Sequence, residues 1–148
     1  MEFTVGITGA SGAIYAQRTL IHLAASAVVD RINLIISGSA ETVARAELAV
    51  DLRGIDRAGV NRWLGLPADS QLIQLNRLDN MAARPSSGSH QQEGMVIVPC
   101  SMATLGVIEA LVDHLVFRIL DHLGVPHSGA TRWKGLPEQE LEATAPKD

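Results

Sequence analysis

The amino end couples a β-branched run, Phe3 to Thr8, to a loop of small residues that passes directly into an Ala/Leu-rich helical pattern. It reads Val5-Gly6-Ile7-Thr8-Gly9-Ala10-Ser11-Gly12-Ala13-Ile14-Tyr15. A strand, a tight turn and a helix amino end in immediate succession aim several backbone N–H groups at one point, which favours an anion. Glycines at 6, 9 and 12 are expected to let the backbone approach a ligand closely and the helix pack on the strand. The segment predicts a nucleotide- or phosphate-binding loop in an α/β fold.

The alternation continues along the chain. Ile14 to Ala25 reads as a helix, Arg31 to Ser37 as a strand, Ala40 to Leu48 as a helix and Leu72 to Leu75 as a short strand. Met95 to Pro99 reads as a buried strand ending at Cys100-Ser101. From Met102 to Leu123, apolar residues at 105, 108, 111, 112, 115, 116, 119, 120 and 123 form one helical stripe, expected to be core or subunit interface. Gly124 and Pro126 end it. Between Asp51 and Gln92, glycine and proline punctuate the chain, and Ser86-Ser87-Gly88-Ser89 reads as a polar turn. Strand and helix in repeated succession imply a parallel sheet with right-handed crossovers and a ligand beyond the carboxyl ends of its strands. Three strand ends carry small polar residues: Gly9–Gly12, Ser37–Ser39, and Cys100-Ser101 with Thr104.

Composition narrows the function. A chain of 148 residues is read as one domain, with residues 1–126 as core and 127–148 as a polar tail. Apolar residues make up 47%, mostly Ala, Leu, Ile and Val, and only five residues are aromatic, which suits a buried parallel sheet. A net charge of −4 without a Lys/Arg cluster argues against nucleic acid. No apolar run reaches the ~18 residues of a membrane span. The single Cys100 excludes a disulfide framework and is expected to be a small buried residue. The chain starts on a strand without a leader pattern, so a cytoplasmic location is expected. His22, His90, His114, His122 and His127 show no metal-ligand spacing, and no metal site is expected.

Thr-Gly-Ala-Ser-Gly also opens many short-chain dehydrogenases. Those want a third glycine where Tyr15 stands, a charged residue after the second strand where Ser37 stands, and a Tyr-x-x-x-Lys pair, yet Tyr15 is the sole tyrosine. Hydride chemistry is therefore disfavoured.

Gly6-Ile7-Thr8-Gly9-Ala10-Ser11-Gly12-Ala13-Ile14-Tyr15, Ile35-Ile36-Ser37, Ser86-Ser87-Gly88-Ser89 and Gly94-Met95-Val96-Ile97-Val98-Pro99-Cys100-Ser101-Met102-Ala103-Thr104-Leu105 together resemble the UbiX-type flavin prenyltransferases. So does the ending from His127 to Pro137, with Arg132-Trp133-Lys134-Gly135-Leu136-Pro137. The resemblance implies a flavodoxin-like or Rossmann-like α/β domain, a three-layer parallel sheet, that binds FMN. It implies transfer of a dimethylallyl group from dimethylallyl phosphate to the flavin N5 and C6, in a homo-oligomer whose product serves a UbiD-type decarboxylase. Carried over by motif, Gly9, Ala10, Ser11 and Ser37 face the FMN, and Ser101, Met102, Ala103 and Thr104 form its other binding turn. Ser11 and Glu47 match positions linked to proton handling, and Trp133 matches the tail aromatic that closes the site. Ser87, Gly88 and Ser89 match a substrate-binding loop that reaches a neighbouring subunit's site.

Between Ala110 and Leu111 the family carries a block on the order of 60 residues, about two βα units, that this chain lacks. The resemblance places there a flavin-contacting arginine, a glutamate, and the Tyr and Arg/Lys that grip the phosphate. The resemblance thus implies a domain shortened by an internal block, and two alternatives stand beside catalysis: an inactive FMN- or anion-binding homologue, and a structural paralogue within an oligomer.

Overall fold

Four short apolar runs, Glu2–Ile7 (β1), Arg31–Ile36 (β2), Ile73–Asn76 (β3) and Gly94–Ile97 (β4), pair side by side in the order β3-β2-β1-β4. All three pairings are parallel, and Val5 lies opposite both Leu34 and Val96. This is the order of the first four strands of the doubly wound Rossmann sheet. The computed structural model describes residues 1–127.

Helix α1 (Ala13–Ala24) joins β1 to β2, α2 (Gly38–Leu48) and α3 (Arg57–Trp63) join β2 to β3, and α4 (Met102–His122) follows β4. The two central strands carry most of the core. Val5, Ile7, Ile32 and Leu34 cluster with Ala16 and Leu20 of α1, Val60 of α3 and Ile73 of β3. A smaller cluster joins Ala13 of α1, Ala44 of α2 and Leu52, and so fixes the two helices against each other.

The helix α3 falls in the stretch that Gly and Pro punctuation left unassigned. Its start has a local cause: the Asp56 carboxylate accepts from the Gly59 amide at 2.7 Å. Asn61, fully buried, donates to the carbonyls of Ala68 and Ser70 and ties the following loop to the helix.

The contacts divide the chain into Met1–Gly106 and Val107–Asp148. Within the second unit, α4 ends as Gly124 and Pro126 foretold. Gly124 has φ +69°, its amide donates to Asp121 and that of Val125 to Leu120, closing the helix end. The rings of Phe117 and His127 stack with centroids 4.9 Å apart.

Two expectations change. Met95 and Val96 are 55% and 41% exposed, because β4 is an edge strand in the described sheet rather than a covered one. Cys100 is exposed, since it lies past the end of that edge strand. No residue of α4 is buried among the described residues, so of the two readings of its stripe, core or subunit interface, the interface stands.

Candidate functional site at the strand carboxyl ends

The strand order reverses between β1 and β4: from β1 the chain steps to β2 and β3, then returns to β4 on the other side. In open α/β sheets that switch point opens a crevice beyond the carboxyl ends. Thr8, the first residue past β1, joins the two sides. Its hydroxyl donates to the Pro99 carbonyl at 2.8 Å and accepts from the Ser101 amide at 2.7 Å. Its amide also reaches Pro99, at 3.2 Å. Thr8 is a residue the sequence reading missed, and a polar β-branched side chain at a strand end before a glycine was its signal.

Ser101 starts α4. Its Oγ accepts from the Thr104 amide at 3.2 Å and lies 2.9 Å from the Thr104 hydroxyl. Both side chains are half-buried, whereas Met102 and Ala103 are exposed. The first amides of a helix have no partner within it, which leaves those of Met102 and Ala103 without an intrahelical acceptor. Ser37 takes the equivalent post at α2, where its Oγ accepts from the Ala40 amide at 3.2 Å, and its own amide donates to Ile7. Gly9, Ala10, Ser11, Ser37 and Ser101–Thr104 thus all gather at one end of the sheet.

Gly9 has a packing reason of its own. A Cβ there would stand 2.3 Å from Ser39 Cβ, with Ser39 main chain also in the way. Gly6 lies inside β1, and a Cβ on it would make ordinary contact with Ile97. Gly12 precedes α1 at φ +108°, where an L side chain is strained.

The amino end of α1, expected to aim its donors at an anion, meets one supplied by the chain itself. Its donors converge on Glu47, from the last turn of α2. The Ser11 hydroxyl donates to Oε1 at 2.7 Å, the Gly12 amide to Oε1 at 3.1 Å and Oε2 at 2.9 Å, and the Ala13 amide to Oε2 at 2.8 Å. The Ser11 hydroxyl first, then the Ala13 and Gly12 amides, hold this carboxyl below its ordinary range. Ser11 and Glu47, paired on motif alone, are in direct contact.

Ser87, Gly88 and Ser89 are exposed and lie elsewhere. They lead into His90, whose Nε2 is 2.8 Å from Glu2 Oε1 at the first residue of β1. Asn33 donates to the same oxygen at 2.7 Å. Burial pushes the Glu2 carboxyl up, but the Asn33 and His90 hydrogen bonds outweigh it and hold the group below its ordinary range. The serine loop therefore approaches the amino ends of the strands, a β1 length of roughly 20 Å from the crevice. Trp133 lies outside the described residues.

A cleft of about 420 Å³ opens past β2 and β3, lined by Ile36, Gly38, Glu41, Leu75, Arg77 and Asp79 among others. It contains none of the candidate residues. Among the described residues no cluster of His, Cys, Asp or Glu could hold a metal, and no helix is long and apolar enough to cross a membrane.

A family model described as Flavoprotein matches residues 1–128. The flavin prenyltransferase UbiX of Halalkalibacterium halodurans is 36% identical over 120 residues, which are 80% of this chain and 56% of that protein. The chain thus spans just over half the length of such relatives. A probable UbiX-like flavin prenyltransferase of Bacillus subtilis is 30% identical over 204 positions, covering 95% of this chain and 93% of that protein. Since 204 positions exceed the 148 residues present, at least 56 of them face no residue of this chain. The crystal structure of AnUbiX (PadA1) in complex with FMN and dimethylallyl pyrophosphate superposes with a TM-score of 0.56 at 31% identity, covering 72% of this chain and 49% of that one. The gapped match fits a block lost from within, and the crevice carries the matched motifs at its rim. The chain belongs to the flavoprotein family and, within it, to the UbiX-type flavin prenyltransferases.

Proposed function

We propose that the β1–β4 crevice binds FMN and that the chain takes part in joining a dimethylallyl group from dimethylallyl phosphate to it, yielding prenylated FMN for a UbiD-type decarboxylase in the cytoplasm. The observation that carries this reading is the contact of Ser11 with Glu47 at the rim of two turns that Thr8 binds together. The residues present fit a flavin on the α4 side, where the Met102 and Ala103 amides face outward beside the Ser101–Thr104 hydroxyl pair.

Gly9, Ala10, Ser11 and Ser37 would line one side of the cofactor and Ser101, Met102, Ala103 and Thr104 the other. When bound, the flavin ring supplies the N5 and C6 positions that receive the allyl group. Ser11 spends its hydroxyl hydrogen on Glu47, so its oxygen lone pairs face away from the carboxylate, ready to take a proton and hand one on to Glu47. Donors at the start of α4 would stabilise the departing phosphate, and the Trp133 ring would shelter the allyl cation.

Ser87, Gly88 and Ser89 would bind substrate in a second copy of the chain. Their place at the amino side of the sheet supports this homo-oligomeric reading, since one chain does not bring its own loop to its own crevice.

A second reading has its own observation. At least 56 positions of the Bacillus subtilis relative have no counterpart, and the α4 stripe is bare among the described residues. This favours an FMN holder without turnover or a structural paralogue, because the resemblance places the phosphate grip in the absent block. Adding FMN and then dimethylallyl phosphate to the purified chain separates the readings. Retained yellow colour followed by a new flavin spectrum supports transfer. Colour without spectral change supports the holder. Loss of all flavin on desalting removes both and leaves the structural paralogue.

A further inference from the structure

We propose that Glu47 is a built-in anion that closes the amino end of α1 to phosphate, so that this loop meets an uncharged part of whatever ligand the crevice takes. A strand–glycine loop–helix unit ordinarily offers that end to a phosphate. Here Ser11 Oγ, Gly12 N and Ala13 N bind the two oxygens of one carboxylate, at 2.7 to 3.1 Å. That is the donor set a phosphate would need, already satisfied from within.

Three features hold the carboxylate in place. Ala13 and Ala44 are buried in one cluster with Leu52, which fixes the last turn of α2 against the first turn of α1. A carboxylate in the last turn of its own helix works against that helix's dipole, and the positive end of α1 offsets the conflict. The tether also keeps the group at high effective concentration, so a free phosphate must displace an attached competitor of the same charge.

The inference does not depend on FMN. It concerns only which anion occupies α1, and its test uses inorganic phosphate. The amide signals of Gly12 and Ala13 would be followed by nuclear magnetic resonance in the full chain during a phosphate titration. In the native chain these two signals are expected to stay still. In Glu47→Ala they are expected to move, with an apparent affinity at least about tenfold tighter, as the release of a charge-assisted hydrogen-bond set implies. Glu47→Gln, which keeps the side-chain length but loses the charge, is expected to fall between the two and serves if the alanine variant does not fold. Phosphate-driven shifts of Gly12 and Ala13 in the native chain overturn the proposal. So does a folded neutral variant in which neither signal moves. Failure of FMN binding alone would leave these outcomes unaffected and would count against the functional reading instead.

Discussion

The Thr8 hydroxyl and the Ser101 amide stand 2.7 Å apart, while the same hydroxyl donates to Pro99 at 2.8 Å. One side chain therefore bonds the end of β1 to the turn that starts α4, on both sides of the crevice. Thr8→Val keeps the shape and removes both bonds, leaving the Ser101 amide without this partner. The expected loss is about 1–3 kcal/mol in denaturant unfolding, with weaker FMN retention. Thr8→Ser restores the hydroxyl and should recover most of both. An unchanged midpoint for the valine variant would show that the two turns are held by other contacts.

Gly9 and Ser39 give a prediction on the opposite rim. An alanine Cβ at position 9 would lie 2.3 Å from Ser39 Cβ and 3.2 Å from its carbonyl carbon, so the start of α2 must shift. Overpacking of this kind destabilises by about 1–3 kcal/mol. Adding Ser39→Gly to Gly9→Ala removes the worst contact but not the main-chain ones, so recovery should be partial. Additive losses in the double variant would count against the close approach.

Much of this was legible beforehand, for reasons that also mark the limits. Apolar runs of strand length and a long stripe with 3.6-residue spacing name elements, and Gly124 names a helix end, because these signals are local. The helix α3 escaped because Gly54, Gly59 and Gly65 dominate its surroundings, although Asp56 before Gly59 was a readable cap. Met95 to Pro99 reads as a buried strand, since an apolar run carries no mark of being at a sheet edge. The capture of the α1 amides by Glu47 joins residues 34 to 36 positions apart, and no spacing rule predicts it. Gly9 reads as a site of close approach, and the spacing carries no sign that Ser39 is the protein group it approaches. Only motif matching links Ser11 with Glu47, whose hydroxyl–carboxylate contact is 2.7 Å.

The two kinds of apolar surface predict different mutational responses. Leu20 is fully buried in the core between α1 and the sheet, and Leu115 on α4 is 62% exposed. Leu20→Ala should lose about 2–5 kcal/mol, and Leu115→Ala should stay within about 0.5 kcal/mol. Chemical unfolding at several protein concentrations measures both. A loss at Leu115 that grows with concentration would reveal that the stripe is covered by a partner copy.

Glu47 makes a prediction with a definite sign in pH. Its carboxyl in the folded chain is held below the ordinary 4.5 by the Ser11 hydroxyl and the Ala13 and Gly12 amides. A carboxyl with a lowered folded value stabilises fully above its unfolded value, and that contribution disappears as pH falls through the folded value. The difference in unfolding midpoint between the native chain and Glu47→Gln should therefore be constant from pH 7 down to about 4.5 and shrink below it. Glu2, whose carboxyl is also held low, loses its contribution in the same direction, but it is common to both chains and cancels in the difference. A midpoint difference that instead widened on acidification would mean that the carboxyl is held protonated in the folded chain, and the three donors of α1 would then need another acceptor.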